Sequence, residues 1–179
     1  GYEIFRVLME RYTDQPESEF FKKLQENEYA FRWQTRQYGP ISLESARKYD
    51  AAPDAPGAAE QLYRAIKGFN KAGDFPNASK YAEIALARFG GSGRFGGIEQ
   101  DIAWYYTNGA DYAHAVPAWS RCYDKRKKGF YRWMVAYTTY RAGLYEEAID
   151  ALTPLVEAGG KHGQAAQFYR AKAHIGLDQ

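Results

Sequence analysis

The chain has 179 residues, 45% hydrophobic and 26% charged, which fits one domain or one stretch of a longer repeat array and excludes a disordered segment. Its net charge of +2 is too small to indicate a nucleic-acid-binding surface, and no apolar run approaches the roughly 18 residues that a membrane-spanning helix needs. The single cysteine, Cys122, excludes an intrachain disulfide and a thiolate metal cluster, and it does not separate the cytosol from the periplasm.

Residues 1–50 are predicted to be helical without a visible repeat, either as a cap on a helical stack or as a degenerate earlier repeat. Short polar side chains accept hydrogen bonds from the free N–H groups that begin a helix, so Thr13 or Asp14 is expected to cap the second helix. Ser42 is expected to cap a short helix that runs through Tyr49. A Pro-rich connector follows.

A repeat with a period near 34 residues organises the region 57–179. Four glycines, at positions 73, 109, 143 and 176, are 36, 34 and 33 residues apart, as expected of a helix–turn–helix repeat. An aromatic residue and then an alanine follow each of the first three; the pairs are Phe75 and Ala78, Tyr112 and Ala115, and Tyr145 and Ala148. Glycine accepts the left-handed backbone that ends a helix, and alanine lets paired helices approach closely. The turn at Gly176 is predicted to be cut off where its second helix would begin.

Helical periodicity flanks these turns and predicts an all-α fold, a right-handed α-α superhelix of hairpins. Leu62, Ile66 and Phe69, for example, lie on one helical face before the first turn. No segment alternates apolar and polar residues as a half-buried strand would. Pro117 and Pro154 fall inside predicted second helices, where a kink or an early helix end is expected.

No group of residues assembles a catalytic, cofactor or metal site in the sequence. His114, His162 and His174 do not pair with another histidine or cysteine at metal-ligand spacing. The glycine-rich segment 90–97 lacks the preceding strand and the Gly-Lys-Ser/Thr ending of a phosphate-binding loop. The basic run 125–128 either contacts a phosphate or an acidic partner, or is a solvated loop between repeats. The chain alone is therefore predicted to be no enzyme and to carry no cofactor.

The 16 tyrosines and four tryptophans are the richest functional signal. The first helix of each hairpin in such a repeat builds a concave face, where aromatic rings can grip a peptide or stack on sugars. The residues predicted to face that groove are Trp104, Tyr105, Tyr106, Trp133, Tyr137, Tyr140 and Tyr169. The alternative at each position is that the ring packs between helices.

The last 80 residues carry a resemblance to known families. The segment Tyr-Arg-Ala-Gly-Leu-Tyr-Glu-Glu-Ala at 140–148 resembles a tetratricopeptide hairpin, and Phe-Tyr-Arg-Ala-Lys-Ala at 168–173 looks like the non-catalytic superhelical region of soluble lytic transglycosylases. That resemblance implies an α-superhelix that embraces peptidoglycan in the periplasm and supports a separate lysozyme-like domain.

One short motif, Glu-Ser-Glu-Phe at 17–20, is similar to the sequence around the catalytic acid of those transglycosylases. The residues that follow differ from the family pattern, and Glu17 falls in an exposed first helical turn. A general acid needs burial to raise its pKa, so Glu17 is not predicted to be catalytic.

Two functional hypotheses follow. The first is a non-catalytic scaffold that binds a protein or peptide partner through its aromatic concave face. The second is the peptidoglycan-embracing region of a lytic enzyme whose catalytic domain lies outside this stretch of sequence. The first predicts peptide ligands and the second predicts glycan ligands, so a binding assay separates them.

Overall fold

The computed structural model describes residues 2–178. Within this range the chain forms ten α-helices, one short 3₁₀ helix at Gly93–Phe95 and no β-strand. The α-helices are α1 Tyr2–Arg11, α2 Glu19–Gln34, α3 Tyr38–Ala51, α4 Ala58–Ala72, α5 Phe75–Phe89, α6 Ile98–Asn108, α7 Tyr112–Arg126, α8 Gly129–Arg141, α9 Tyr145–Ala158 and α10 Gly160–Leu177. The prediction of an all-α fold is confirmed.

The helices group into two compact units, Gly1–Asp74 and Phe75–Gln179. In the first unit, α1 contacts α2, α2 contacts α3, and α3 contacts α4. In the second unit each helix from α5 to α10 contacts the next one along the chain, and α8 also contacts α10 directly. Each unit is therefore built by packing consecutive helices.

Three helix ends in the predicted repeat region share one backbone conformation, which we call the αL turn. The first or second residue after the helix has a positive φ, and its N–H donates to the carbonyl three residues earlier. The N–H of the next residue donates to the carbonyl five residues before it, which satisfies another free carbonyl at the helix end. The positive-φ residues are Gly73 (77°), Ala110 (57°) and Gly143 (78°).

The turn after α6 corrects the sequence prediction by one residue. Gly109 was expected to adopt the left-handed conformation, but its φ is −79° and Ala110 adopts that conformation instead. A Cβ atom on Gly109 would lie only 3.1 Å from the Cβ atom of Phe75 and 3.2 Å from the carbonyl oxygen of Tyr105. Glycine at 109 therefore provides space for a close contact.

A fourth αL turn lies in the N-terminal region, where an arginine rather than a glycine takes the positive φ. Arg36 has a φ of 60°; its N–H donates to the Trp33 carbonyl, and the N–H of Gln37 donates to the Arg32 carbonyl. The helix after every αL turn begins two residues after the positive-φ residue, at an aromatic side chain: Tyr38, Phe75, Tyr112 and Tyr145. The same turn thus recurs at positions 36, 73, 110 and 143.

Small or apolar side chains occupy the fifth position after each αL residue. Ala78, Ala115 and Ala148 are fully buried, and Ile41 is 3% exposed. Ala148 belongs to a core cluster of the second unit, whose other buried members are Ala136, Leu152, Leu155 and Ala166. The close approach predicted from these alanines agrees with their burial, since a methyl group leaves space for the backbone of a neighbouring helix.

In the first unit, α3 and α4 meet at Ser42 and Gly68. A Cβ atom on Gly68 would lie 2.8 Å from the Cβ atom of Ser42. The prediction that Ser42 caps a helix is wrong, because α3 already begins at Tyr38 and Ser42 is fully buried inside it. Its hydroxyl donates to the carbonyls of Tyr38 and Gly39, each at 2.8 Å, so this polar group is satisfied within its own helix.

The second helix is capped by Ser18 rather than by Thr13 or Asp14. The N–H of Phe21, which lies three residues after Ser18, donates to Ser18 Oγ at 3.2 Å, as in a helix N-cap. The hydroxyl of Thr13 instead donates to the Met9 carbonyl at the end of α1, at 2.8 Å. Two hydrogen-bonded turns, closed by the N–H groups of Gln15 and Ser18, occupy the stretch between α1 and α2, and α2 begins only at Glu19.

The early helix end predicted as one outcome at Pro117 and Pro154 does not occur, and Gly176 does not form the predicted turn. α7 continues past Pro117 to Arg126 and α9 continues past Pro154 to Ala158, so neither proline ends its helix early. Pro117 is exposed, where water can bond to the carbonyl that lacks its usual N–H partner. Gly176 lies inside α10, and a Cβ atom there would lie 2.6 Å from the Tyr145 ring, so it provides space instead of forming a turn.

Candidate functional site

The second unit carries an open cleft of about 490 Å³ that we call the aromatic cleft. Four of its five aromatic lining side chains are Trp104 on α6, Trp133 and Tyr137 on α8, and Tyr169 on α10. The remaining lining residues are Thr107, Asn108, Tyr112, Met134 and Arg141. The direct contact between α8 and α10 brings Tyr169 beside Trp133 and Tyr137 of α8.

Three of the rings form one continuous cluster. Trp133 and Tyr137 are one helical turn apart and stack with ring centroids 5.8 Å apart. Tyr169 lies 5.8 Å from Trp133 and meets Tyr137 edge-on at 5.2 Å. Burial raises the pKa of the Tyr169 hydroxyl above its ordinary value. This mutual packing restrains the three rings, so they present apolar surface to a ligand in a fixed orientation.

Trp104 is positioned by the core beneath it. Its ring meets the fully buried ring of Trp119 edge-on, with centroids 5.2 Å apart. The indole Nε1 of Trp119 donates to Thr107 Oγ1 at 2.9 Å, and that hydroxyl donates to the Ala103 carbonyl at 2.7 Å. This chain of bonds holds Trp119, and Trp119 in turn supports Trp104 at the cleft.

Arg141 is the only charged residue that lines the aromatic cleft within the described part of the chain. Its guanidinium Nη1 donates to Tyr137 Oη at 2.7 Å, and the guanidinium carbon lies 4.7 Å from the ring centroid of Tyr112. The hydrogen bond to Tyr137 is the main cause that raises the pKa of Arg141 above its ordinary value. Over residues 2–178 its side chain forms no salt bridge, so its charge is not neutralised by a carboxylate.

The seven aromatic residues predicted to face a groove do not all share one surface. Trp104, Trp133, Tyr137 and Tyr169 line the aromatic cleft. Tyr105 is only 3% exposed and packs in the core. Tyr106 stacks on His114, with centroids 5.2 Å apart, and lines a separate small hollow with Phe75. Tyr140 is half-buried, packs against the core cluster and lies 5.2 Å from Tyr169.

Arg141 and Tyr112 belong to the site but were not among the residues proposed from the sequence. Arg141 follows Trp133 and Tyr137 at intervals of four residues, so all three lie on one face of α8. That spacing would have identified Arg141. Tyr112 begins α7 directly after an αL turn, so its place depends on the turn geometry, which no helical period reveals.

The other sequence candidates lie outside this site or have structural contacts. The His114 imidazole pairs with Asp111, the residue that caps α7, at 2.9 Å. His162 stacks on Trp133 with centroids 5.6 Å apart. Glu17 is an exposed partner of Lys22, and no group of three or more metal-ligating side chains occurs among the described residues.

Two further findings bear on function. Across residues 2–178, every helix is too short or too polar to cross a membrane. Comparison of the chain with protein-family models, curated proteins and solved structures finds no match.

Proposed function

We propose that this chain is a helical-hairpin repeat module that binds a peptide segment of a protein partner in the aromatic cleft. The observation that carries the proposal is the cleft itself, in which three restrained aromatic rings and Trp104 surround a space of about 490 Å³. Clefts of this size and lining are typical of ligand sites, and tryptophan and tyrosine are the residues that most often dominate peptide and protein recognition.

The recurrence of the αL turn supports the repeat part of the proposal. Turns of one geometry at 36, 73, 110 and 143, each followed by an aromatic residue that begins the next helix, are what stacked hairpins require. We infer that α6 to α10 form a stretch of right-handed superhelix. Its first helices, α6, α8 and α10, carry four of the five aromatic rings that line the cleft, which agrees with a concave binding face built from those helices.

The polar groups of the cleft favour a peptide over a neutral glycan. A glycan needs many acceptors as well as donors for its hydroxyl groups, and no aspartate or glutamate lines the cleft among the described residues. The Thr107 hydroxyl is already engaged with Trp119 and Ala103, and Tyr137 Oη already accepts from Arg141. Apolar side chains of a peptide fit such a lining better.

A random-peptide display selection against the purified chain tests this function. Synthetic copies of the selected peptides should bind the wild type, and Trp133→Ala should weaken binding by about 30-fold, since an aromatic hot spot contributes about 2 kcal/mol or more. Trp33→Ala is the matched control, because Trp33 is a half-buried tryptophan of the first unit. Selected peptides that bind Trp133→Ala and wild type equally would contradict the proposal.

The resemblance to the superhelical region of lytic transglycosylases supports a second function, the embrace of peptidoglycan. Aromatic faces such as those of Trp104 and Trp133 can stack on sugar rings. Purified cell-wall sacculi test it directly by co-sedimentation. Sedimentation that depends on Trp133, together with a failed peptide selection, would replace the peptide function with this one.

A further inference from the structure

We propose that Arg141 makes the aromatic cleft selective for a peptide that carries a carboxylate, which the guanidinium binds through its free N–H edge. This inference rests on the proposed peptide-binding function and goes beyond it by naming the ionic group that the ligand must present. The exposed Arg141 side chain lines the aromatic cleft, and no charged residue among those that line it neutralises the guanidinium.

The Arg141 guanidinium is oriented by its neighbours while most of its N–H donors stay free for a ligand. An arginine side chain has five N–H donors, and within residues 2–178 its one side-chain hydrogen bond runs from Nη1 to Tyr137 Oη. Tyr112 and Tyr137 flank the planar group, with ring centroids 4.7 Å and 5.7 Å from its central carbon. Stacking of this kind restricts the plane of the guanidinium, so its remaining donors are oriented before a ligand arrives.

The neighbouring groups do not offer an internal partner. The residues beside Arg141 in the cleft are neutral: Asn108, Tyr112, Tyr137 and Tyr169. The nearest acidic residues along the chain, Glu146 and Glu147, lie at the start of α9 and do not line the cleft. A tyrosine hydroxyl accepts the arginine N–H but carries no charge, so the positive charge is available to a ligand.

The ligand charge that fits best is a single negative one. Phosphate groups carry nearly two charges and are met by clusters of arginines or lysines, whereas one planar guanidinium matches one carboxylate in a two-point hydrogen bond. The basic run 125–128 does not line the cleft, so no second cation adds to Arg141 there. A carboxylate next to an apolar side chain would place its charge on Arg141 and its apolar group on the rings.

The experiment uses a pair of small probes that differ only in charge, N-acetyl-L-phenylalanine and N-acetyl-L-phenylalaninamide. Each is titrated into ¹⁵N-labelled chain while the indole N–H signals of Trp104 and Trp133 are followed. The acid should bind about tenfold more tightly than the amide, as expected for a charge-assisted hydrogen bond. The preference should shrink as salt is added.

Two variants make the test specific to Arg141. Arg141→Gln should remove the preference by reducing the affinity for the acid to that for the amide. Arg141→Lys should keep part of the preference, since lysine retains the positive charge but cannot form the two parallel hydrogen bonds of a planar guanidinium. Arg132→Gln is the matched control, because Arg132 is an exposed arginine of the same helix outside the cleft lining. It should retain the full preference.

The dipeptides N-acetyl-Phe-Glu-amide and N-acetyl-Phe-Gln-amide distinguish the source of the carboxylate. Preference for the glutamate member indicates a side-chain carboxylate, and preference confined to N-acetyl-L-phenylalanine indicates a chain terminus. Equal affinity for acid and amide, a preference that survives Arg141→Gln, or no indole shift with the acid would each overturn the inference. The proposed function would still stand if display-selected neutral peptides bound in a Trp133-dependent manner.

Discussion

The turns after α8 and after α6 follow the same backbone path with different residues. Gly143 takes the positive φ in the first case and Ala110 in the second, and the two hydrogen bonds that close the turn are the same. Glycine has no Cβ and adopts this conformation freely, whereas alanine pays about 1–2 kcal/mol. Glycine stands at 109, where a Cβ atom would meet Phe75, and not at 110, where the backbone φ is positive. Contacts with a neighbouring helix can therefore determine where glycine is placed, even against local backbone preference.

The largest effect is expected at the turn that uses glycine for its backbone freedom. Gly143→Val places a β-branched side chain at a φ of 78° and should reduce the free energy of unfolding by about 2–3 kcal/mol. Urea unfolding followed by circular dichroism measures the change. Gly129→Val is the control, since Gly129 has ordinary helical backbone and open space around it. Equal losses in the two variants would contradict the assignment of the strain to the turn.

The next effect concerns the core position that follows the turn. Ala148→Leu adds three carbon atoms to a fully buried site beside Leu152 and should destabilise the chain by about 1–3 kcal/mol through overpacking. Thermal unfolding is the measurement. The same change at the exposed Ala171 on α10 should leave the melting temperature nearly unchanged.

Gly109→Ala tests the steric role assigned to the glycine before Ala110. The new methyl group would meet the Cβ atom of Phe75 at 3.1 Å, so we expect a loss of about 1 kcal/mol in urea unfolding. Phe75→Gly, which removes that Cβ atom, should reduce the loss when the two changes are compared in a double-mutant cycle. Strictly additive effects of the two substitutions would show that the contact is not the reason for glycine at 109.

The smallest effect has the opposite sign. Ala110→Gly removes the strain of alanine at a φ of 57°, and the greater freedom of glycine in the unfolded chain offsets part of the gain. A net stabilisation of about 0.5 kcal/mol is expected. Ala113→Gly, at an exposed helical position nearby, should instead destabilise. A loss of stability in Ala110→Gly would contradict the comparison of the two turns.

The αL turn could be predicted where glycine takes the left-handed conformation, as at Gly73 and Gly143. The turn at Ala110 was misplaced by one residue and the turn at Arg36 was missed, because a non-glycine residue can adopt the same φ when the surrounding helices hold it there. The cap of α2 was also misplaced, since Thr13 or Asp14 was expected to cap a helix that begins only at Glu19, directly after Ser18.

The site could be predicted in part for a similar reason. Helical periodicity places Trp133 and Tyr137 on one face, but it does not say which neighbouring helix covers a face. Tyr105 and Trp104 are adjacent in the sequence, yet packing buries one and leaves the other at the cleft. Tyr169 joins the site because α10 contacts α8. This contact between helices cannot be predicted from the periodicity of either helix alone.

The edge-on pair of Trp104 and Trp119 has a spectroscopic consequence. Two indole rings with centroids 5.2 Å apart and an interplanar angle of 87° have strongly coupled electronic transitions, which should produce a pair of circular dichroism bands of opposite sign. One member of the pair is buried and the other lines the cleft. The circular dichroism of this tryptophan pair should therefore report ligand binding, because a ligand that tilts Trp104 relative to the buried Trp119 should change the two bands.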